Sequence, residues 1–235
     1  MIKIPGMDKN TKPGFWRAPS YQFNQIMKDE KFKMIKEHLA GRDIHNERVL
    51  EAMQMVNREA FVPRDVKHLA YADSALPIGK GQTISQPYVV AYMAQALDLK
   101  EDEVVLEVGT GCGYNAAVFS HLVSYVYSVE IVEYLAEMAK NNLERLNIQN
   151  ASVKQGDGFY GWKAKAPFDK IVLTAASPEI PDPLKEQLKI GGHILAPVSN
   201  SYQKLMMFEK ISEHKFKTFD LLEVRFVNMT GETEN

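Results

Sequence analysis

Three short stretches of this 235-residue chain carry residue types that could hold a nucleoside. The first is Gly109-Thr110-Gly111-Cys112-Gly113-Tyr114, which follows Val104-Val105-Leu106-Glu107-Val108. Glycines at a strand end let backbone amides approach a ligand and open a closely packed helix. Tyr114 stands where the dinucleotide fingerprint needs its third glycine. That disfavours a pyrophosphate-bearing cofactor and fits a nucleoside without phosphate. The second stretch ends in Glu130, 21 positions after Gly109, where an acid can accept both hydroxyls of a ribose. The third is Gly156-Asp157-Gly158, whose carboxylate can accept a hydrogen bond from an adenine amino group. A glycine turn, a surface acid and a tight turn each have a purely structural explanation. Together, at consecutive strand ends, they point to S-adenosylmethionine, held by Gly109, Gly111, Cys112, Gly113, Glu130, Asp157 and Gly158.

The segment after the fourth strand narrows the acceptor. It reads Leu173-Thr174-Ala175-Ala176-Ser177-Pro178. It lacks the Asn/Asp-Pro-Pro-aromatic run typical of enzymes that methylate base amines, and the cluster of acids and amides that a metal-dependent phenol methyltransferase needs. A single cysteine, Cys112, forms no internal disulfide and offers no zinc-ligand spacing, so no metal is expected. Cys112 reads as a small loop filler or as a reactive thiol.

The elements that must position these residues follow from the hydrophobic pattern. From residue 87 onward, an apolar helix at Pro87–Leu97 precedes strands at 104–108, 125–129, 151–155, 170–174 and 193–197. Helices fall between several of them. The clearest carries Ile131, Tyr134, Leu135, Met138 and Leu146 at helical spacing. Such alternation implies a doubly wound α/β fold, with a parallel sheet covered on both faces. Two further strands, 204–211 and 216–227, suggest an antiparallel edge pair. Helices at Phe23–Leu39 and at Glu47–Val56, the latter capped by Asn46, form an N-terminal addition. The expected division is an arm at 1–22, a helical addition with the active-site loop at 23–86, and the cofactor domain at 87–235.

Composition sets the wider limits. Hydrophobic residues make up 45% of the chain and charged residues 25%, which excludes a disordered protein. Residues 1–45 hold nine Lys/Arg against five Asp/Glu, but the whole chain has a formal charge of −2, so nucleic acid is not an expected partner. No apolar run reaches the length of a membrane span, and the first residues lack a secretory core. A soluble cytoplasmic protein is expected.

Beyond the cofactor motifs, the chain contains Arg58-Glu59-Ala60-Phe61-Val62-Pro63, Thr83-Ile84-Ser85-Gln86-Pro87, Ala166-Pro167-Phe168-Asp169 and Val224-Arg225-Phe226-Val227. With these segments it resembles the protein-L-isoaspartate (D-aspartate) O-methyltransferases along about residues 32–231, with a class I, Rossmann-like methyltransferase fold. The resemblance implies methyl transfer from S-adenosylmethionine to the free α-carboxylate of L-isoaspartyl residues, and possible action on D-aspartyl residues, in damaged proteins and peptides. The ester would close to a succinimide, and S-adenosylhomocysteine would be the other product. It implies Ser85 as the active-site hydroxyl, Thr83 and Ser85 against the substrate, and Thr83, Ile84 and Thr230 against the cofactor. Val227 and Asn228 would lie beside the substrate backbone, and the protein would be a monomer. A related reading is an enzyme that esterifies aspartate in one dedicated peptide.

The chemistry is consistent with a hydroxyl at Ser85. A carboxylate nucleophile is ionised at neutral pH and needs no general base. A neutral hydroxyl can orient one oxygen without a tight ion pair that would quench it. Ser85 can equally be read as the N-cap of the helix at Pro87. The chain departs from the family at Val227-Asn228-Met229-Thr230, where relatives read Val-Pro-Leu-Thr, and at Arg42-Asp43-Ile44, where they read Arg-Gly-Ile.

Overall fold

The computed structural model describes residues 20–199 and 202–232. The expected arm lies outside them, apart from residues 20–22, which belong to the first helix. That helix, α1 (Ser20–Lys33), runs on through a wider π-type turn at Met34–Ala40. Helix α2 (Glu47–Met55) starts where the Asn46 side chain accepts the amide of Val49, as its sequence implies.

A two-stranded hairpin follows, β1 (Leu76–Gly79) and β2 (Gln82–Ile84), which the pattern of apolar residues does not signal. Its turn residues Lys80 and Gly81 both have positive φ, as a two-residue hairpin turn demands. After it come α3 (Pro87–Ala96), β3 (Val104–Val108), α4 (Tyr114–Ser120), β4 (Tyr125–Glu130) and α5 (Glu133–Arg145). The chain finishes with β5 (Ala151–Gln155), β6 (Phe168–Leu173), α6 (Asp182–Glu186), β7 (Leu188–Ser199), β8 (Gln203–Ser212) and β9 (Lys215–Glu223).

The last seven strands form one sheet in the order β5-β4-β3-β6-β7-β8-β9. Strands β3 to β7 are parallel, and β8 and β9 add an antiparallel edge pair. The class I methyltransferase architecture expected from the sequence is therefore present. Strand order reverses beside β3, whose neighbours are β4 and β6, and ligands of such sheets sit outside the carboxyl ends at that point.

Period-two alternation sends the parallel strands' side chains into two cores. Val105, Val126, Val172 and Leu195 pack against the helices α1 to α5, whereas Leu106, Ile171, Leu173 and Ile194 pack beneath α6. Helix α5 buries Leu135, Ala136, Ala139 and Leu143, each of the two leucines worth about 1.5–3 kcal/mol. Tyr134, placed by its spacing in the buried stripe, is instead exposed, with the ammonium of Lys80 5.4 Å from its ring. The final strand also stops earlier than its composition suggests. Residues 224–230 leave the sheet edge and cross its carboxyl end, where Ala176 bridges to Asn228.

Candidate active site

The loop after β3 is shaped by its neighbours. Gly109 and Thr110 both donate to the carbonyl of Val129, which draws the loop over the end of β4. A side chain at Gly109 would lie 2.4 Å from the Thr174 hydroxyl, and the residue has φ +98°, so glycine is required there. At Gly158 an added Cβ would come within 2.3 Å of Val108, which fixes the second close approach.

Glu130 is 5% exposed and already serves the loop: Oε2 accepts the amide of Gly111 at 2.7 Å and Oε1 that of Val132 at 2.9 Å. Each oxygen keeps a second lone pair that a ribose hydroxyl could use. Asp157 is engaged differently. Its Oδ1 accepts the Phe159 amide at 2.8 Å, and its Oδ2 accepts that of Glu232 at 3.0 Å. The cavity beneath the glycine loop is lined by Gly158 but not by Asp157. The structure therefore gives Asp157 a hold on the C-terminal segment that its sequence position does not announce.

That cavity gathers most of the residues singled out from the sequence. Thr83, Ile84 and Ser85 line it from the β2 side, Gly109, Gly111, Cys112 and Glu130 from the sheet, and Val227, Asn228 and Thr230 from the crossing segment. Gly113 stands just outside the lining, at φ +87° against Ala139, where it starts α4. The buried Cys112 thiol is pushed up to about 11, burial being the main cause, which leaves it protonated and supports the filler role.

Sequence reasoning assigned nothing to Glu107, the one acid within the apolar strand β3. It is fully buried, and burial pushes its carboxyl up to about 8 against the opposing pull of the Ser128 hydroxyl. Ser128 donates to Oε2 at 2.6 Å and lies 2.5 Å from the Thr110 hydroxyl. Glu107 Oε1 and Asn115 Oδ1 are buried, and the Asn115 side chain is close enough to Glu107 to oppose the effect of burial on its carboxyl. Asn115 lines the cavity, whereas Glu107 is not part of its lining. An acid interrupting an otherwise apolar strand was the available signal.

The cavity shares a wall with an open groove. Thr83, Ser85, Thr174 and Val227 face both, and the groove continues along Arg42, Tyr88 and Leu222–Phe226. The cap reading of Ser85 is not borne out. The N-cap position of α3 is Gln86, without a side-chain cap, and the Ser85 hydroxyl has no partner among the described residues. No histidine lines either space. Among the described residues no group of three or more His, Cys, Asp or Glu could hold a metal ion, and no helix is long and apolar enough to cross a membrane.

Comparison with known proteins matches this geometry to one family. The family described as protein-L-isoaspartate(D-aspartate) O-methyltransferase matches residues 29–234. Protein-L-isoaspartate O-methyltransferase 2 of Pelobacter propionicus is 49% identical over 84% of this chain and 89% of its own. Protein-L-isoaspartate O-methyltransferase 1 of Geotalea uraniireducens is 46% identical over 89% and 96%. Among solved structures, a protein-L-isoaspartate O-methyltransferase superposes with a TM-score of 0.78 at 30% identity, over 88% of this chain and 67% of that one. A Plasmodium falciparum protein, solved with S-adenosyl-L-homocysteine, gives 0.74 at 24% identity over 87% and 98%. With nearly its whole described length matched, and with the glycine loop and the Thr83–Ser85 hairpin meeting at one cavity, the chain belongs to the protein-L-isoaspartate(D-aspartate) O-methyltransferase family.

Proposed function

We propose that this protein transfers a methyl group from S-adenosylmethionine to the free α-carboxylate of L-isoaspartyl residues in damaged proteins and peptides. The observation that carries this reading is the shared wall, where the Ser85 hydroxyl, without a partner among the described residues, stands between the cavity under the glycine loop and an open groove. Glu130 and the backbone of Gly109–Gly113 would hold the cofactor's ribose and methionyl part, with the side-chain carbonyl of Asn115, which lines the cavity, offering an acceptor to its ammonium. Thr83, Ile84, Gly158 and Thr230 would close around it, and Asp157, next to Gly158 but outside the lining, would reach the adenine end only through a remaining lone pair.

When bound, S-adenosylmethionine supplies the methyl on a sulfonium centre, a leaving group that needs no proton. The remaining task falls to the chain. The substrate carboxylate arrives ionised, so no side chain has to remove a proton, and the absence of histidine from both linings is consistent with that. Ser85 would donate to one carboxylate oxygen and leave the other aimed at the methyl carbon. Val227 and Asn228 would flank the substrate backbone and, with Ser85, hold the reacting atoms in line. The dedicated-peptide alternative is not favoured, because relatives carrying the isoaspartate name match the chain along most of its length.

The test is radiolabelled methyl transfer to matched L-isoaspartyl and L-aspartyl peptides. Label should appear in the isoaspartyl peptide. Equal labelling of both, or labelling of the aspartyl peptide alone, would overturn the reading.

A further inference from the structure

Arg58 is a fully buried guanidinium that the chemistry above leaves unused. It sits in a single 3₁₀ turn, Arg58–Ala60, and forks towards three separate pieces of backbone. Nη1 donates to the carbonyl of Ala70. Nη2 donates to the carbonyls of Ser74 at 3.2 Å and Ser85 at 2.8 Å, while Nε is buried without a hydrogen-bond partner among the described residues. Its guanidinium carbon stands 5.6 Å from the ring of Tyr114, the residue that follows the glycine loop. Asp73, close enough to favour the charge, is paired with Arg42 instead at 3.3 Å.

Burying a charge without a carboxylate partner is costly, and three carbonyls are the compensation this site provides. A methionine or leucine would fill the same volume at no such cost, so packing alone does not account for the residue. What the fork does is join the turn ending at Ala70 to the open end of the β1–β2 hairpin, where Ser74 and Ser85 flank the paired Leu76 and Ile84. One arm fixes the peptide plane after Ser85, which sets the direction of the Ser85 Cα–Cβ bond towards the shared wall. The ring of Tyr114 on the other side ties the same group to the start of α4.

We infer that Arg58 is a positioning residue for methyl transfer: its fork holds the Ser85 carbonyl, and thereby the Ser85 hydroxyl, in register with the cofactor loop. This rests on the reading of Ser85 as the group that meets the substrate carboxylate. Lysine cannot reproduce the action, since an ammonium is a point charge without the planar fork.

The experiment compares Arg58→Lys, Ser85→Ala and the double variant for thermal midpoint, S-adenosylmethionine affinity by calorimetry, and kcat/KM on an L-isoaspartyl peptide. Arg58→Lys should lower kcat/KM by about tenfold or more, but by no more than Ser85→Ala does, with cofactor affinity held. The double variant should be no slower than Ser85→Ala, because one residue acts through the other. Arg58→Gly should recover part of its rate when guanidinium ion is added below denaturing concentrations. Additive losses in the double variant, a fully active Arg58→Lys, or a folded Arg58→Gly that guanidinium leaves inert would each overturn the inference. A fully active Ser85→Ala would instead sink the reading of Ser85 itself. If neither Arg58 variant folds, the fork is a folding element and the positioning role is lost.

Discussion

The carboxylate of Glu130 accepts the amide of Gly111 at 2.7 Å, so the acid ending β4 and the middle glycine of the loop after β3 form one unit. The ribose acceptor proposed here is thus also the clamp that gives the loop its shape. A second bond, from the Val132 amide, fixes the other oxygen and leaves the side chain little freedom. Pre-organisation of this kind lowers the ordering cost of binding.

Glu130→Ala removes both functions at once. Cofactor binding should weaken by at least about 1.5–3 kcal/mol, the range for hydrogen bonds to a charged group. Calorimetry on the purified variant checks this. Affinity equal to wild type would show that the ribose is held elsewhere.

Glu107 should leave a signature in stability against pH. Its folded carboxyl is pushed up to about 8, whereas an unfolded glutamate titrates near 4.5. Between those values the folded state binds the extra proton. Stability from this group is therefore intact below about pH 4.5 and is lost as pH rises towards 8, with a slope near 1.4 kcal/mol per pH unit. Glu107→Gln removes the titration. The thermal midpoint of wild type should fall relative to this variant as pH goes from 5 to 8, and a constant difference across that range would contradict the burial argument.

Gly158→Ala tests the close packing beneath the cofactor cavity. The added methyl would meet Val108 Cγ1 at 2.3 Å, and Val108 is itself buried in the sheet. Overpacking of this kind costs about 1–3 kcal/mol. Differential scanning calorimetry should show a lowered midpoint, together with weaker cofactor binding, because Gly158 lines the cavity. A variant with wild-type stability would mean that the turn at 158–160 can shift freely.

Ser85→Ala should lower kcat/KM about 10- to 100-fold, as expected for a lost hydrogen bond to a carboxylate. Its thermal midpoint should hardly change, since the hydroxyl caps no helix. Loss of fold in place of loss of rate would count against the catalytic role.

Part of the sheet was legible from the chain because β3 and β4 are short, largely apolar runs that end at a glycine or an acid. Strands β3 and β5 begin and end at the residues their pattern suggests. The hairpin β1–β2 was not. Its strands are four and three residues long, and Pro77 falls inside the first, so no alternation can build up. The hairpin is set by the turn at Lys80-Gly81 and by the Arg58 bond to Ser85, a contact 27 positions away in sequence. The site shows the same split. Glu130 and the glycines announce themselves by spacing, whereas the tie from Asp157 to Glu232 spans 75 positions and has no local pattern. Helix α5 misled for another reason: Tyr134 has helical spacing, but the β1–β2 hairpin gives it a partner outside the core.

The pH dependence of the reaction separates a pre-ionised nucleophile from one that needs a base. An α-carboxyl group titrates near 3.3–3.7, so the substrate is fully charged well below neutrality. A general-base histidine would add a limb near pH 6.5. His121 and His193 are both held below their usual range, chiefly by burial, and neither lines the cavity or the groove. His68, the histidine nearest the Thr83–Ser85 segment in sequence, is exposed on a 3₁₀ turn and lines neither space. On an L-isoaspartyl peptide, kcat/KM should therefore be flat from about pH 5.5 to 7.5. Near pH 8 the buried Glu107 beside Ser128 and Thr110 loses its proton, and a change in cofactor binding there should vanish in Glu107→Gln. The discriminating measurement is the profile of wild type, His68→Gln and Glu107→Gln. A one-proton limb near 6.5 in wild type would mean that a base takes part after all, and its disappearance in His68→Gln would name that base.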